Sequence, residues 1–158
     1  AERFLETVQR MRARLDQPAL TTDVIVGFPG ESEEDFTETL DVCRQAGFSK
    51  IHIFPFSARS GTPAADFSDQ IATEIKQERV ARLGQLEEEL ATRFRQGLLE
   101  QTLEVLVERN DPKRPGFVRG TDRRYVSVEF PGNETSIGTL KSVRALKLNE
   151  RGIEGVAL

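Results

Sequence analysis

The sequence has no tryptophan, one tyrosine, one histidine and one cysteine among its 158 residues. A single thiol cannot close an internal disulfide, which points to an intracellular rather than a secreted setting. One Cys (Cys43) and one His (His52) fall short of the four ligands of a structural zinc site and of the thiolates that hold an iron–sulfur cluster, so no metal site is expected within this chain. No apolar run approaches the roughly 18 residues of a membrane span. The first residues, AERFLETVQRMRARL, lack the apolar segment of a signal peptide, and their carboxylates Glu2 and Glu6 argue against a transit peptide. Low-complexity tracts and internal repeats are missing too. What is present is a globular composition, 37% hydrophobic and 30% charged, with room for one ordinary domain or two small ones. A cytoplasmic location is the expectation.

Charge is unevenly spread beneath the net of −4. Residues 1–95 carry 12 Lys and Arg against 17 Asp and Glu, and residues 96–158 carry 10 against 9. Within the second stretch Lys113, Arg114, Arg119, Arg123 and Arg124 fall inside twelve residues that hold one acid, Asp122.

Apolar spacing sets out the elements. Phe4, Val8, Met11 and Leu15 recur at steps of four, three and four and predict a helix over 2–15. Thr22 to Phe28 is a near-continuous apolar run with β-branched residues, the pattern of a strand buried on both faces of a parallel sheet. Ser32 and Asp35 read as a capping box, Phe36, Leu40 and Cys43 share one helix face, and Gly47 suits a left-handed stop. Residues 49–56 read as a second strand, so a βαβ unit with parallel strands is expected. Ile71, Ile75, Leu83, Leu86, Leu90 and Phe94 mark a long amphipathic helix over 70–95, with the acidic run 87–89 on its solvated face. Beyond Gln96 the pattern changes to five short strand-like segments, TLEVLVER, GFVRG, RYVSVEF, IGTLKSVRALKL and IEGVAL, which read as a small antiparallel barrel. The expected fold class is therefore α/β over residues 1–95 followed by a small all-β domain over residues 96–158.

Two loops carry candidate chemistry. GFPGE (27–31) ends the first strand. Gly27 and Gly30 would let backbone approach a ligand closely, or they build a tight turn with Glu31 and Glu33 complementing the helix start. SARSGTPAADF (57–67) follows the second strand and brings Ser57, Arg59, Ser60 and Thr62 together, either as a site for a carboxylate or phosphate or as a polar connection. Parallel strands would put both loops on one rim, where α/β folds gather ligands. His52 reads as a hydrogen-bonded packing residue and Cys43 as a small buried hydrophobe. The cluster Lys113 to Arg124, with Phe117 and Tyr125 beside it, reads either as a nucleic-acid contact or as charged hairpin tips.

TTDVIVGFPGESEEDF, then GFSKIHIFPFSARSGTPAADF, then a small C-terminal β region closely resemble the radical S-adenosylmethionine methylthiotransferases. The resemblance implies the last strands and helices of a partial (β/α) radical-SAM barrel, followed by a TRAM-like β-barrel that contributes to RNA binding. It implies S-adenosylmethionine and two 4Fe-4S clusters in the full-length family, and the anticodon stem-loop of tRNA as partner. The wording of IHIFPFSARSGTPAA resembles most the branch that adds a methylthio group to C2 of N6-threonylcarbamoyladenosine at position 37. The isopentenyladenosine branch, the ribosomal-protein aspartate branch and a noncatalytic RNA-binding module stay open as alternatives. By the same resemblance Ile25, Gly27, Gly30, Glu31, Ser57, Arg59, Gly61 and Thr62 fall at the cofactor. The RNA-binding candidates come from the basic cluster itself: Lys113, Arg114, Arg119, Arg123, Arg124 and Tyr125. The CxxxCxxC cluster motif is absent, so the chain reads as a C-terminal fragment without catalytic residues of its own, missing the N-terminal part of its polypeptide and expected inactive alone. An incomplete barrel would expose a sheet edge and invite self-association.

Overall fold

Each predicted helix forms close to where its apolar spacing places it. In the computed structural model, which describes all 158 residues, helix α1 runs Glu2–Arg14, α2 Glu33–Ala46 and α3 Thr73–Gln96. The chain divides into two compact units, Ala1–Ala91 and Thr92–Leu158. No helix is long and apolar enough to cross a membrane.

In the first unit, strands β1 (Thr21–Val26) and β2 (Lys50–Pro55) pair in parallel, from Thr21 opposite Lys50 to Val26 opposite Pro55. Helix α2 connects them. Its start is closed by the reciprocal bonds of a capping box: the Ser32 hydroxyl accepts from the Asp35 N–H, and the Asp35 carboxylate accepts from the Ser32 N–H. Its end is closed by Gly47 at φ 61°, which a side-chain-bearing residue would adopt only with strain. Val26, Phe36, Leu40, Cys43, Ile51, Leu83, Leu86 and Leu90 form the core, with Val8 of α1 against it.

The expectation that the first strand, Thr22 to Phe28, is buried on both faces is corrected here. The sheet has only two strands, and the buried cluster lies on one side of them. Thr21, Asp23 and Ile25 of β1, and Lys50, His52 and Phe54 of β2, are exposed on the other face, with Ile25 at 57% and Phe54 at 50%. His52 is therefore not a packing residue. It stands opposite Asp23 on the uncovered face, and its side chain makes no hydrogen bond. Ile75 also departs from its predicted stripe and is exposed, and the loop after β2 contains a short 3-10 helix, Pro63–Asp66.

The second unit contains a closed five-stranded barrel: β3 (Thr102–Asn110), β4 (Phe117–Asp122), β5 (Ser127–Pro131), β6 (Leu140–Asn149) and β7 (Gly152–Ala157), in the order β3-β4-β5-β7-β6. Inward residues alternate along β3 and β4, so Leu103, Val105, Val107 and Val118 meet Val128, Phe130, Val143, Ala145 and Ile153 in the core. Four of the pairs are antiparallel, as expected, but β5 and β7 pair in parallel. An odd number of strands cannot alternate direction around a closed ring, so one parallel pair follows from the strand count.

Candidate functional site: a rim cleft and a ring of ion pairs

Strand β1 ends in a turn whose backbone only glycine fits comfortably. Gly27 has φ 72° and Gly30 φ 83°. A Cβ on Gly27 would overlap the stem of Lys76, and one on Gly30 would lie 2.5 Å from a carboxylate oxygen of Asp69. The turn is closed from within. The Glu31 carboxylate accepts the Gly27 N–H at 2.6 Å and a guanidinium N–H of Arg79 at 2.5 Å, and Arg79 also donates to the Glu31 carbonyl at 3.1 Å. Arg79 is 4% exposed, and its Nε has no partner. Lys76 donates to the Phe56 carbonyl at 3.1 Å, with its ammonium 5.4 Å from the centre of the Phe56 ring. Phe28 meets Phe56 edge-on at 5.1 Å.

Beside this turn lies a cleft of about 600 Å³, lined by Asp23, Ile25 and Phe54 from the uncovered sheet face and by Ser57, Arg59 and Thr62 from the following loop. Thr62 folds the loop back by donating its hydroxyl and its N–H to the Arg59 carbonyl, at 2.7 and 3.1 Å, and Gly61 takes φ 82° in open space. The Arg59 guanidinium is exposed and pairs with nothing. The structure thus brings four of the eight expected cofactor residues, Ile25, Ser57, Arg59 and Thr62, onto one cleft. It places Gly27, Gly30 and Glu31 in the adjoining turn and Gly61 in the bend of the loop. Because the Arg59 side chain supports nothing, Arg59→Ala is expected to leave the melting temperature unchanged, within about 0.5 kcal/mol of stability by thermal unfolding.

Sequence reasoning missed Lys76 and Arg79. A signal for Arg79 was present: it stands four residues after Ile75 and four before Leu83, on the apolar stripe of α3, where a charge needs a partner.

On the barrel, the basic cluster is mostly neutralised. The acids that oppose it come from other strands, so the view that Asp122 alone faces it is corrected. Arg119 pairs with Glu129 at 2.5 Å and Asp111 at 3.2 Å, Arg151 pairs with the same two carboxylates, and Asn149 donates to Glu129 at 3.1 Å. Arg114 bonds Glu154 at 2.7 Å and lies 3.7 Å over the Phe117 ring, covering it. The Arg124 side chain is buried beside Asp122. Lys113 extends into solvent unpaired, Arg123 is exposed, and Tyr125 is 92% exposed.

Within this network the Lys113 N–H bonded to Asp111 holds that carboxyl below its usual range, with Arg119 and Arg151 adding to the effect, and the Arg114 bond does the same for Glu154. A carboxyl whose pKa is lowered by folding contributes stability above its unfolded pKa and loses it as pH falls. Barrel stability is therefore expected to hold from neutral pH down to about 5 and to fall below about 4, where unfolded carboxyls take up protons first. Thermal unfolding of Glu154→Gln should converge with that of the unaltered protein at the acidic end. A gap that widens there would contradict the assignment.

A two-stranded βαβ face with a rim cleft, joined in one chain to a small barrel, defines an α/β protein with an accessory β-barrel module. No family model matches the chain. The chain is 41% identical over 143 residues, 90% of its length and 32% of the relative's, to the tRNA-2-methylthio-N(6)-dimethylallyladenosine synthase of Protochlamydia amoebophila. It is 38% identical over 98% of its length to the enzyme of that name from Alkaliphilus oremlandii, covering 33% of it. Its identity to the threonylcarbamoyladenosine tRNA methylthiotransferase MtaB of Bacillus subtilis is 40% over 92% of its length, again 33% of the relative. The chain belongs to the tRNA methylthiotransferase family, and it spans about a third of the length of the relatives it matches.

Proposed function

We propose that this chain is the C-terminal portion of a methylthiotransferase that attaches a methylthio group to C2 of N6-threonylcarbamoyladenosine at position 37 of tRNA. In this reading residues 1–95 are the last strands and helices of a partial radical-SAM barrel, and residues 96–158 are a TRAM-like module that contacts the anticodon stem-loop. The observation that carries the reading is the uncovered face of β1 and β2. Parallel strands are normally covered on both sides, yet Ile25 and Phe54 stand half exposed beside a cleft that ends in an unpaired arginine. Upstream strands of the same polypeptide would turn that face into a barrel lumen. In the isolated chain the same face and the free strand edges would favour self-association.

The cleft fits S-adenosylmethionine in size and chemistry. Its volume lies within the range of small-molecule sites, Ile25, Phe54 and Phe56 offer an apolar floor for a nucleoside, and Arg59 with Ser57 and Thr62 offers donors for a carboxylate or hydroxyls. Gly27, Gly30, Glu31 and Gly61 set the course of the backbone around it. In this family the bound cofactor supplies a 5′-deoxyadenosyl radical. The iron–sulfur clusters do not fit this chain. Cys43 is its single thiol and is 3% exposed in the core, burial that raises its pKa, and no group of three or more His, Cys, Asp or Glu is placed to hold a metal ion. Cluster ligands would come from residues outside the segment, and the segment alone would be inactive.

A second reading, the isopentenyladenosine branch, is favoured by one observation: several relatives bear the dimethylallyladenosine name. Either way the cleft is tested in the whole polypeptide that carries this segment. Arg59→Ala should lower methylthiolation of tRNA about 10- to 100-fold, the worth of a charge-assisted bond, with folding unchanged. Unchanged turnover would remove the cleft from the site.

A further inference from the structure

The barrel presents one aromatic side chain in a way that packing does not explain. Tyr125 is 92% exposed, and its φ of 61° lies in the left-handed region. It closes the tight connection between β4 and β5, where its N–H donates to the Asp122 carbonyl at 2.9 Å. A turn that ends on a left-handed residue usually ends on glycine. Here a tyrosine holds the position, and its ring gains almost no burial in return.

The connection is fastened from beneath. Asp122 is 4% exposed, and one of its carboxylate oxygens accepts the N–H groups of both Arg124 and Val126 at 2.9 Å. Its own N–H donates to the Val126 carbonyl at 3.0 Å. Arg124 lies against the second carboxylate oxygen at 3.5 Å with its side chain 8% exposed, so it belongs to the support. Backbone strain that the surroundings over-determine, and that serves no packing, points to a ligand. The ligand chemistry is given by the group on display: a flat, uncovered ring on a small β-barrel suits an unpaired nucleobase.

We propose that Tyr125 is a stacking platform for an unpaired base of the RNA substrate, and that Asp122 is the positioning residue that aims it. The proposal rests on the reading of the second unit as RNA-binding and sharpens it. Arg114 and Arg119 are engaged with Glu154, Glu129 and Asp111, so the contact made at this tip depends on stacking more than on charge.

The test uses the whole chain and a labelled anticodon stem-loop RNA with unpaired loop adenosines. Tyr125 is the sole tyrosine and there is no tryptophan, so emission excited in the tyrosine band reports this ring alone. Anisotropy of the labelled RNA reads binding, and tyrosine emission reads stacking. The expected result is quenching along the same isotherm as binding. Tyr125→Gly, which relieves the backbone, should keep or raise thermal stability while weakening binding about 5- to 100-fold, with the salt slope unchanged. Tyr125→Phe should bind like the unaltered protein. Asp122→Asn, which keeps an acceptor oxygen, should bind well, and Asp122→Ala should weaken binding as Tyr125→Gly does. RNA that binds without quenching, or equally to Tyr125→Gly, overturns the stacking platform and leaves the RNA reading standing. RNA that does not bind at all overturns both. If Asp122→Ala fails to fold, Tyr125→Gly still decides the matter.

Discussion

Arg79→Ala is expected to lower the unfolding free energy of the first unit by about 3–5 kcal/mol, the cost of leaving one partner of a buried ion pair alone. Arg79 is 4% exposed, and the Glu31 side chain that it bonds is 11% exposed. Removing the guanidinium leaves a carboxylate that water reaches poorly and that still holds the Gly27 N–H. The double variant Glu31→Ala/Arg79→Ala should be less destabilised than the two single losses combined, because no charge is then stranded. Denaturant unfolding measures both. A loss below about 1 kcal/mol, the level of a surface pair, would mean that water enters the turn and that the pair does not organise the rim. Exchange of the Gly27 amide should quicken in either single variant, since one carboxylate joins the turn to α3.

Gly120→Ala is expected to cost the barrel about 3 kcal/mol or more. A Cβ at this position of β4 would overlap the Leu106 carbonyl on the neighbouring strand and sit 2.8 Å from a Val105 methyl. The obstacle is backbone, so no rotamer change relieves it and the β3–β4 pair must separate locally. That exceeds the ordinary cost of overpacking, which flexible side chains share out. Gly120 also faces Val107 at the start of a register shift between Val107 and Arg109, the kind of irregularity beside which a glycine lets backbones approach. Amide exchange across β3 and β4 should accelerate while that of α2 stays as it was. Unchanged exchange in β3 would show that the barrel yields without losing its pairing.

The helices and strands of this protein are legible because local causes determine them. The Ser32–Asp35 capping box, the Gly47 stop and the alternation along β3 each need only a few residues. What was not legible depends on partners distant in sequence. The run TTDVIVGF looks doubly buried because it has the composition of a parallel strand, but exposure depends on how many strands flank it, and here only β2 does. Reading Lys113 to Arg124 as an open basic patch required that no acid meet it, and closure of the barrel brings Glu129 and Glu154 to it across strand pairs that a linear count does not register. The parallel β5–β7 pair could have been foreseen, since five strands in a ring force it.

For the rim, the loop wording of SARSGTPA led to Ser57, Arg59 and Thr62, and the structure lines one cleft with all three. The inner support did not come from motif reading. Glu31 looked like a helix-start acid or a cofactor ligand, and its carboxylate is engaged by Gly27 and Arg79. Arg79 sits on a charged helix, and its place on the apolar stripe ahead of Leu83 sets it apart from the other charges.

The central claim, that this segment completes the site of a threonylcarbamoyladenosine methylthiotransferase, is tested most directly by nucleoside mass spectrometry of tRNA from cells with and without the gene that encodes the whole polypeptide. The account predicts that 2-methylthio-N6-threonylcarbamoyladenosine disappears on deletion, returns with the intact gene and fails to return with the Arg59→Ala form, while the methylthiolated isopentenyl nucleoside is unaffected. Loss of the isopentenyl product instead, or no change in either nucleoside, would contradict it.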